Sequence, residues 1–351
     1  MPGEGSVPPA GHADARNRSA IAEVRTRVGS ALTQEPGLRI RSVLRDAGGV
    51  DMHANQLIVS VDMVRELVDH QFPEWRGLPI EPVASQGTVN AILRIGGEFA
   101  ARFPLEPGDA RVMQRRLESE AQAARDLLGR TQFLTPKPVA LGKPGAGYPL
   151  PWSVQTWLPG TAATADGLGD SVEFGHDLAE FVHDVRAINP CGRVFSGEGR
   201  GGDLRSHDPW MEQCFERSER LLDVPRLRRM WGVLRELPRG VAGDVMTHGD
   251  LIPGNVLVAD GRLNGVIDVG GLGPADPALD LVAAWHLLDD GPRQVLRDDL
   301  ECDDLEWARG KAWAFEQAMG ACWYYAESNP AMNLMGRRTL ERIMTESSAE
   351  A

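Results

Sequence analysis

The chain has 351 residues, of which 42% are hydrophobic and 25% are charged, and its formal net charge is −13. This length and composition are typical of a folded protein with two domains or lobes, and no apolar run is long enough to cross a membrane. The acidic balance disfavours nucleic acid as a partner, because phosphate backbones select basic surfaces.

The first segment, residues 1–51, is rich in Gly, Pro, Ala, Ser and Arg. It predicts a poorly ordered extension, without the apolar stretch that a secretory signal needs. Met52 opens the first stretch with a globular pattern, so we expect a protein that starts there to fold and keep its activity. The four cysteines show no CxxC pairing, which predicts free thiols in a reducing cytoplasm.

A helix, three strands and a second helix are predicted after Met52. Apolar residues recur at helical spacing from Ile58 to Val68, and Pro73 ends or follows that helix. Strands are predicted in IEPVASQG, in TVNAILRIGG and, behind a Gly-Gly turn, in EFAARFPL. The next helix, residues 109–129, has a predicted apolar face of Val112, Leu117, Ala121, Ala124 and Leu128.

Two more short strands, KPVALG and PWSVQTWLPG, precede a break at residues 158–160 that we interpret as a hinge. The remainder is mostly helical, with a glycine-rich loop in FSGEGRGGDLRSHD and final helices that run to about Met344. Strands and one helix followed by a mainly helical part predict an α+β fold in two lobes, residues 52–158 and 159–346.

The second lobe contains the segment THGDLIPGNVLV, residues 247–258. Proline and glycine force a turn that presents Asp250 and Asn255 from one loop, and the apolar run after it predicts a buried strand. A hairpin turn follows, and Asp268 comes at the end of the return strand. The three polar side chains therefore converge at one end of a two-stranded ribbon.

These side chains suit phosphoryl transfer. A carboxylate such as Asp250 can orient a substrate hydroxyl and accept its proton, while Asn255 and Asp268 can together hold Mg²⁺ on nucleotide phosphates. Either residue of the loop alone would more often be a turn cap. The D-x-x-x-x-N spacing, followed by a hairpin that ends in Asp-x-Gly, favours the catalytic interpretation.

The combined pattern HGDLIPGNVLV…GVIDVGGLGPADPALDL resembles the signature of the aminoglycoside phosphotransferase family. These are antibiotic kinases with a protein-kinase-like fold, and the macrolide phosphotransferases belong to the same group. The resemblance runs from about Met52 to Met344. It implies a bilobal fold, with a small antiparallel sheet in the first lobe and a mainly helical second lobe.

The resemblance also implies a role for each matching position. Asp250 would be the catalytic base, His248 would brace the catalytic loop, and Asn255 and Asp268 would be the Mg²⁺ ligands. Arg102 would contact the nucleotide phosphates with Glu120 as its partner. The remaining nucleotide positions would be Ser85, Gln86 and Thr88 over the phosphates, and Gln155 and Trp157 in the hinge that receives the nucleobase.

The sequence departs from the family pattern at several positions. Arg102 stands where many such kinases have lysine, and the phosphate loop SQGTVN has a single glycine. Ile252 replaces the histidine of HGDLHPGN, and IDVGG replaces IDFGD. None of these changes removes the three residues that the chemistry needs.

Other candidates are weaker. Trp323 and Tyr324 would line an acceptor pocket, although aromatic residues at helical spacing are more often core residues. Asp276 and Asp280 are interpreted as caps of the following helix. Paired aspartates at 289–290, 298–299 and 303–304 are either solvated loop surface or an acidic rim for a cationic acceptor. His176 and His183 lack any metal-site pattern.

Together these features predict a cytoplasmic enzyme that moves the γ-phosphoryl group of ATP or GTP to a hydroxyl of an aminoglycoside, macrolide or nucleoside-type antibiotic. A metabolite kinase and a nucleotide-binding pseudokinase are the alternatives. The implied partners are the antibiotic and the nucleotide, with Mg²⁺ as cofactor, and we expect a monomer or a weak homodimer.

Overall fold

The computed structural model describes residues 56–83, 89–197 and 199–349, and of residues 347–349 only the backbone. The described residues belong to one compact unit, Val50–Ala351. The predicted N-terminal extension lies outside them. No helix in the described part of the chain combines the length and apolarity needed to cross a bilayer.

A five-stranded sheet forms the first part of the unit, in the order β1-β2-β3-β5-β4, with antiparallel neighbours. Its strands are β1 Ile80–Pro82, β2 Asn90–Ile95, β3 Phe99–Pro104, β4 Pro138–Gly142 and β5 Trp152–Thr156. Helix α1, Val61–Gln71, begins at Ser60, whose hydroxyl accepts the amide hydrogen of Met63. Helix α2, Ala110–Leu127, connects β3 to β4.

The sheet and α1 enclose a core of their own. It contains Leu67 of α1, Ile95 and Phe103 of the sheet, and the aromatic pair Tyr148 and Trp152. The rings of Phe103 and Trp152 stack with their centroids 4.7 Å apart. The predicted strands and both helices of this part are confirmed.

The second part is mainly helical. Its helices are α3 Val172–Arg186, α4 Asp208–Ser218, α5 Val224–Leu234, α6 Val282–Leu287, α7 Asp290–Asp299, α8 Asp304–Tyr324 and α9 Pro330–Ala349. Short 3-10 helices lie at Pro73–Trp75 in the first part and at Leu204–His207, Pro253–Asn255, Val269–Gly271 and Pro277–Leu279 in the second. The central helix α8 is buried on most of its surface and includes Trp313 and Phe315, both fully buried.

Two small antiparallel sheets carry the polar loops of the second part. Strands β6 Thr161–Ala162, β8 Val256–Ala259 and β9 Arg262–Val266 form one sheet, and β7 Val245–Thr247 pairs with β10 Gly273–Ala275 in the other. The predicted β8–β9 hairpin is confirmed. Leu134, between α2 and β4, exchanges backbone hydrogen bonds with this hairpin and so joins the two parts.

Some sequence predictions were wrong in detail. Val112 and Leu128, assigned to the apolar face of α2, are 49% and 42% exposed, and Leu127 is buried in place of Leu128. Ile58 precedes α1 and is exposed. Helix α5 was not predicted, although Asp223 caps it.

The paired aspartates take part in caps and ion pairs. Asp303 caps α8 through the amide of Glu306, and Asp304 pairs with Arg297. Asp289 pairs with Arg342 of α9. These acids therefore stabilise helix ends and helix contacts.

Candidate active site

The loop between β7 and β8 presents Asp250 and Asn255 side by side. The amide nitrogen Nδ2 of Asn255 donates to the backbone oxygen of Asp250 at 2.9 Å and to its Oδ2 at 3.1 Å. Because both partners are acceptors, the amide has one orientation, and Oδ1 of Asn255 is its remaining acceptor. The sequence prediction that one turn would present both residues is confirmed.

The Asp250 carboxylate is half-buried and is held by hydrogen bonds to neighbouring side chains. Its Oδ1 accepts from Nη2 of Arg200 at 3.0 Å and from Nε2 of Gln317 at 2.7 Å. Burial raises the pKa of this carboxyl, but the charge and hydrogen bond of Arg200 outweigh it and hold the pKa below its usual range. The group is therefore an ionised acceptor.

Asp268 lies two residues beyond β9 in a left-handed backbone conformation, with φ of 59°. This conformation is unfavourable for a residue with a Cβ and persists only where the surroundings require it. Its half-exposed carboxylate accepts from Nη2 of Arg102 at 2.7 Å. The structure thus turns this carboxylate toward the first part of the unit.

Arg102 on β3 connects the two parts electrostatically. Its side chain is only 13% exposed, and its Nη1 lies 3.6 Å from Oε2 of Glu120 on α2. Arg116 binds the other oxygen of Glu120 at 3.0 Å. A cation between Glu120 and Asp268 is suited to phosphate oxygens, because guanidinium groups bind them through several N–H donors.

His248 is fully buried and supports the loop from inside. Its Nε2 lies 3.1 Å from the backbone oxygen of Ile267, and its Nδ1 accepts from the amide of Asp250 at 3.3 Å. These bonds require a proton on Nε2 and a lone pair on Nδ1. His248 therefore holds the backbone of the loop, and its part in catalysis stays a prediction.

The two aspartates that were interpreted as helix caps differ in their contacts. Asp276 accepts from the amide of Ala278 and caps the short helix there, as predicted. Asp280 instead accepts from the amides of His248 at 2.7 Å and Gly249 at 2.8 Å, so the prediction for Asp280 was wrong. Burial raises its pKa, and the bonds of Asp280 hold the backbone next to Asp250.

Arg200 was not predicted as a site residue. It lies in the glycine-rich loop, whose carbonyl groups are held in three places. Nε2 of His207 binds the oxygen of Gly199 at 3.0 Å, and the amide of Asp276 binds that of Gly201 at 3.0 Å. Arg309 binds the oxygen of Gly202 at 2.8 Å. These contacts hold Arg200 beside Asp250.

Only some of the predicted nucleotide-binding residues lie in the described part of the chain. Ser85, Gln86 and Thr88 lie outside the described residues. Gln155 is on β5, and the amide of Trp157 donates to the backbone oxygen of Glu98 at 2.6 Å. The Arg94 guanidinium lies over the Trp157 ring, 4.8 Å from its centroid. The Trp157 amide is thus already bonded, and the roles of these residues stay predictions.

The aromatic candidates lie at the carboxyl end of α8. Trp323 packs against Trp210 with ring centroids 5.9 Å apart, and Tyr324 is 38% exposed. Burial, together with nearby Tyr325 and Glu106, raises the pKa of Tyr324. The residue of α8 that reaches Asp250 is Gln317, one helical turn after the buried Trp313.

Hard oxygen ligands are available for a cation at this site. No group of three or more His, Cys, Asp and Glu side chains suited to a metal occurs among the described residues. The sequence predicts a smaller set, one carboxylate oxygen of Asp268 and Oδ1 of Asn255, and this set stays a prediction. Such a set fits Mg²⁺, which takes one or two protein oxygens and completes its shell with phosphates and water.

A sequence family matches most of this region. The model of the family described as "Phosphotransferase enzyme family" matches residues 80–313, more than half of the chain. An aminoglycoside 3′-phosphotransferase of Salmonella typhimurium is 28% identical over 144 residues, 39% of this chain and 52% of the relative. An aminoglycoside 3′-phosphotransferase of Escherichia coli is 36% identical over 62 residues. The chain thus spans about half the length, or less, of these curated relatives.

Solved structures share the fold. The GDP complex of wild-type aminoglycoside 2′-phosphotransferase-IIIa has a TM-score of 0.58 and 19% identity, covering 81% of this chain and 98% of that one. Macrolide 2′-phosphotransferase MphH from Brachybacterium faecium has a TM-score of 0.53 and 18% identity, covering 80% and 97%. The predicted kinase-like α+β fold is confirmed by these neighbours.

Proposed function

This chain belongs to the phosphotransferase enzyme family, and on that premise we propose that it transfers the γ-phosphoryl group of a nucleoside triphosphate to a hydroxyl of an antibiotic. The observation that carries the proposal is the Asp250 carboxylate. It is ionised, fixed by three side-chain donors, and held in one loop with Asn255.

Each residue of the site has a separate role in the proposed in-line transfer. Asp250 orients the acceptor hydroxyl and takes its proton, and Arg102 neutralises phosphate charge from its position beside Glu120. Mg²⁺, when held by Asn255 and Asp268, would supply charge neutralisation at the phosphate oxygens. His248 and Asp280 keep the loop in place, so positioning and charge stabilisation provide most of the rate enhancement.

We propose an antibiotic as the acceptor because relatives and structural neighbours are named as aminoglycoside and macrolide phosphotransferases. Neighbours were solved with GDP and with ADP, which supports either ATP or GTP as donor. We further propose that the enzyme works in the cytoplasm, where such nucleotides are available, as a monomer or weak homodimer.

A coupled assay of nucleotide turnover tests the proposal. The purified protein is supplied with Mg²⁺ and ATP or GTP, and aminoglycosides, macrolides and nucleoside antibiotics are added one by one. Asp250→Asn is run beside Asp260→Asn, which changes an aspartate in the hairpin turn after β8. We expect turnover with one antibiotic class that is lost in Asp250→Asn and kept in Asp260→Asn.

The other outcomes are equally informative. Turnover with a metabolite hydroxyl and no antibiotic would replace the acceptor but keep the mechanism. Nucleotide binding without turnover for any acceptor would contradict the enzymatic proposal and favour a pseudokinase.

A further inference from the structure

A chain of side-chain hydrogen bonds runs from Asp250 into the core between α8 and α9. Gln317 on α8 donates from Nε2 to Oδ1 of Asp250 at 2.7 Å. Its Oε1 lies 3.0 Å from Nε2 of His286, and Nδ1 of His286 lies 2.9 Å from the hydroxyl of Thr339 on α9. His286 and Thr339 are fully buried, so this is an internal connection to the catalytic loop.

The carboxylate fixes the direction of every bond in this chain. An ionised carboxylate only accepts, so Gln317 must present its amide nitrogen to Asp250 and its oxygen to His286. His286 must then carry its proton on Nε2 and present a lone pair on Nδ1 to the Thr339 hydroxyl. Burial lowers the pKa of His286 to about 4, so the ring stays neutral around neutral pH.

The same bonds distinguish the two oxygens of Asp250. Each carboxylate oxygen has about two acceptor sites. Oδ1 receives both Arg200 and Gln317, whereas among the residues that the structure describes Oδ2 receives only Asn255. One acceptor site of Oδ2 is therefore left for a substrate.

We propose that Gln317, held by His286 and Thr339, is a positioning residue that engages Oδ1 of Asp250 and thereby leaves Oδ2 to take the proton of the acceptor hydroxyl. The proposal rests on the proposed phosphoryl transfer. In that step the acceptor oxygen forms a bond to the γ-phosphorus as its proton moves to Oδ2. The bond from the γ-phosphorus to its bridging oxygen breaks, and its electron pair stays on the departing nucleoside diphosphate.

The first experiment measures Asp250 itself, without nucleotide or acceptor. The 13C resonance of its carboxyl carbon, assigned by its loss in Asp250→Asn, is titrated with pH in the wild type and in Gln317→Met. Gln317 stabilises the charged form, so its removal should move the titration midpoint of Asp250 to higher pH. An unchanged midpoint would overturn the proposal whether or not the protein proves to be a kinase.

Gln294→Met is the matched control. Gln294 on α7 also donates to a carboxylate at 2.7 Å, that of Asp298, but on the exposed surface. The Asp250 midpoint should not move in this variant. If Gln317→Met does not fold, Gln317→Glu keeps the size of the side chain and should raise the midpoint through repulsion between two carboxylates.

Substitutions of Thr339 test the end of the hydrogen-bond series that lies farthest from Asp250. Thr339→Val has nearly the same shape but no hydroxyl, and Thr339→Ser keeps the hydroxyl. The Val variant should shift the Asp250 midpoint in the same direction as Gln317→Met but less, and the Ser variant should match the wild type. Identical midpoints for Val and Ser would remove His286 and Thr339 from the proposal.

Once an acceptor is known, steady-state kinetics provide the second readout. Loss of a hydrogen bond to a charged group corresponds to about a tenfold fall in kcat for Gln317→Met. The KM for nucleotide should stay at the wild-type value, since Gln317 contacts Asp250 and not Arg102 or its partner Glu120. An equal loss in Gln294→Met, or a change confined to KM, would contradict a positioning role.

Discussion

Arg200 contacts the carboxylate of Asp250, although no sequence pattern predicted it as a site residue. Its guanidinium is one-quarter exposed and lies 3.0 Å from the carboxylate of the proposed base. Although burial opposes its charge, Asp250 and Glu316 raise the pKa of Arg200, so the cation is permanent. A permanent cation beside a carboxylate keeps that carboxylate ionised under acidic conditions.

Replacing Arg200 with methionine should therefore change the pH dependence of turnover. Arg200 lowers the pKa of Asp250, so its removal raises that pKa and moves the acid limb of the kcat/KM profile to higher pH. Activity should fall more at acidic than at neutral pH. The profile of kcat/KM against pH measures this shift.

Arg205→Met is the control for the loss of an arginine nearby. Arg205 pairs with Glu236 on the surface and does not contact Asp250. Its profile should overlie that of the wild type. An acid limb that stays in place in Arg200→Met would show that Arg200 does not set the ionisation of Asp250.

Helix α2 and the short helix Val269–Gly271 approach each other closely at Gly270. A methyl group at this glycine would come within 2.7 Å of Cγ of Glu120. Glu120 pairs with Arg102, and Arg102 also pairs with Asp268. The close approach at Gly270 therefore brings Glu120 of the first part next to the loop that holds Asp268. A glycine is needed here for space.

Gly270→Ala should accordingly separate Glu120 from Arg102. Loosening the 3.6 Å ion pair that positions Arg102, the proposed phosphate-binding cation, should weaken nucleotide binding about tenfold. Calorimetric titration with GTP or ATP measures the loss. Gly291→Ala on α7, where a methyl group meets no atom within 4 Å, should bind nucleotide as the wild type does. Unchanged affinity in Gly270→Ala would contradict the role given to Glu120.

Helix α8 is held to three loops through Arg309. This buried side chain binds Asp276 through Nε at 2.6 Å and the backbone oxygens of Leu237 and Gly202 at 2.9 and 2.8 Å. Asp276 is itself 2% exposed. Breaking such a pair leaves an uncompensated charge inside the protein.

Arg309→Met should lower the free energy of unfolding by about 3 to 5 kcal/mol. Urea denaturation followed by tryptophan fluorescence gives the value. Arg228→Met breaks an ion pair with Glu212 whose side chains are 40% and 52% exposed, and it should cost at most about 1 kcal/mol. Equal losses of unfolding free energy in both variants would contradict the prediction that breaking the buried ion pair costs more than breaking the exposed one.

The sequence was sufficient to predict local features of the fold. Strand-like segments, the Gly-Gly turn, apolar residues at helical spacing and the hairpin turn predicted the sheet, α2 and the β8–β9 hairpin. The orientation of Val112 and Leu128 was not predictable, because helical spacing places them near the apolar stripe while only the packed neighbours decide which leucine is buried. Arg200 and Gln317 have no local pattern either. They become site residues through contacts 50 and 67 positions away in the chain.

The described residues form two large hydrophobic cores and a third, small cluster of Ala165, Ala321 and Met335. One large core lies under the five-stranded sheet and begins at Leu57, and the other large core fills the helical part and runs to Met344. The family match at residues 80–313 falls within this range. Every described member of both cores therefore lies at or beyond Leu57.

A protein that begins at Met52 should therefore have the same melting temperature and the same kcat as the full chain. Thermal unfolding of both forms, with turnover of the acceptor found in the screen, measures this. Insolubility, a lower melting temperature or lost turnover of the shorter protein would show that the N-terminal segment contributes to folding or catalysis.

The arginine at position 102 also determines which chemical probes suit this protein. The whole chain has three lysines, Lys137, Lys143 and Lys311, and none stands at the position that pairs with Glu120. Nucleotide analogues that acylate an amine beside the phosphates would find no amine at position 102, whereas arginine-selective dicarbonyl reagents would have a target. We expect mass spectrometry to show no acylated residue on β3 after treatment with an acyl-phosphate nucleotide. Profiling of nucleotide-binding proteins with amine-directed probes would therefore overlook kinases of this kind.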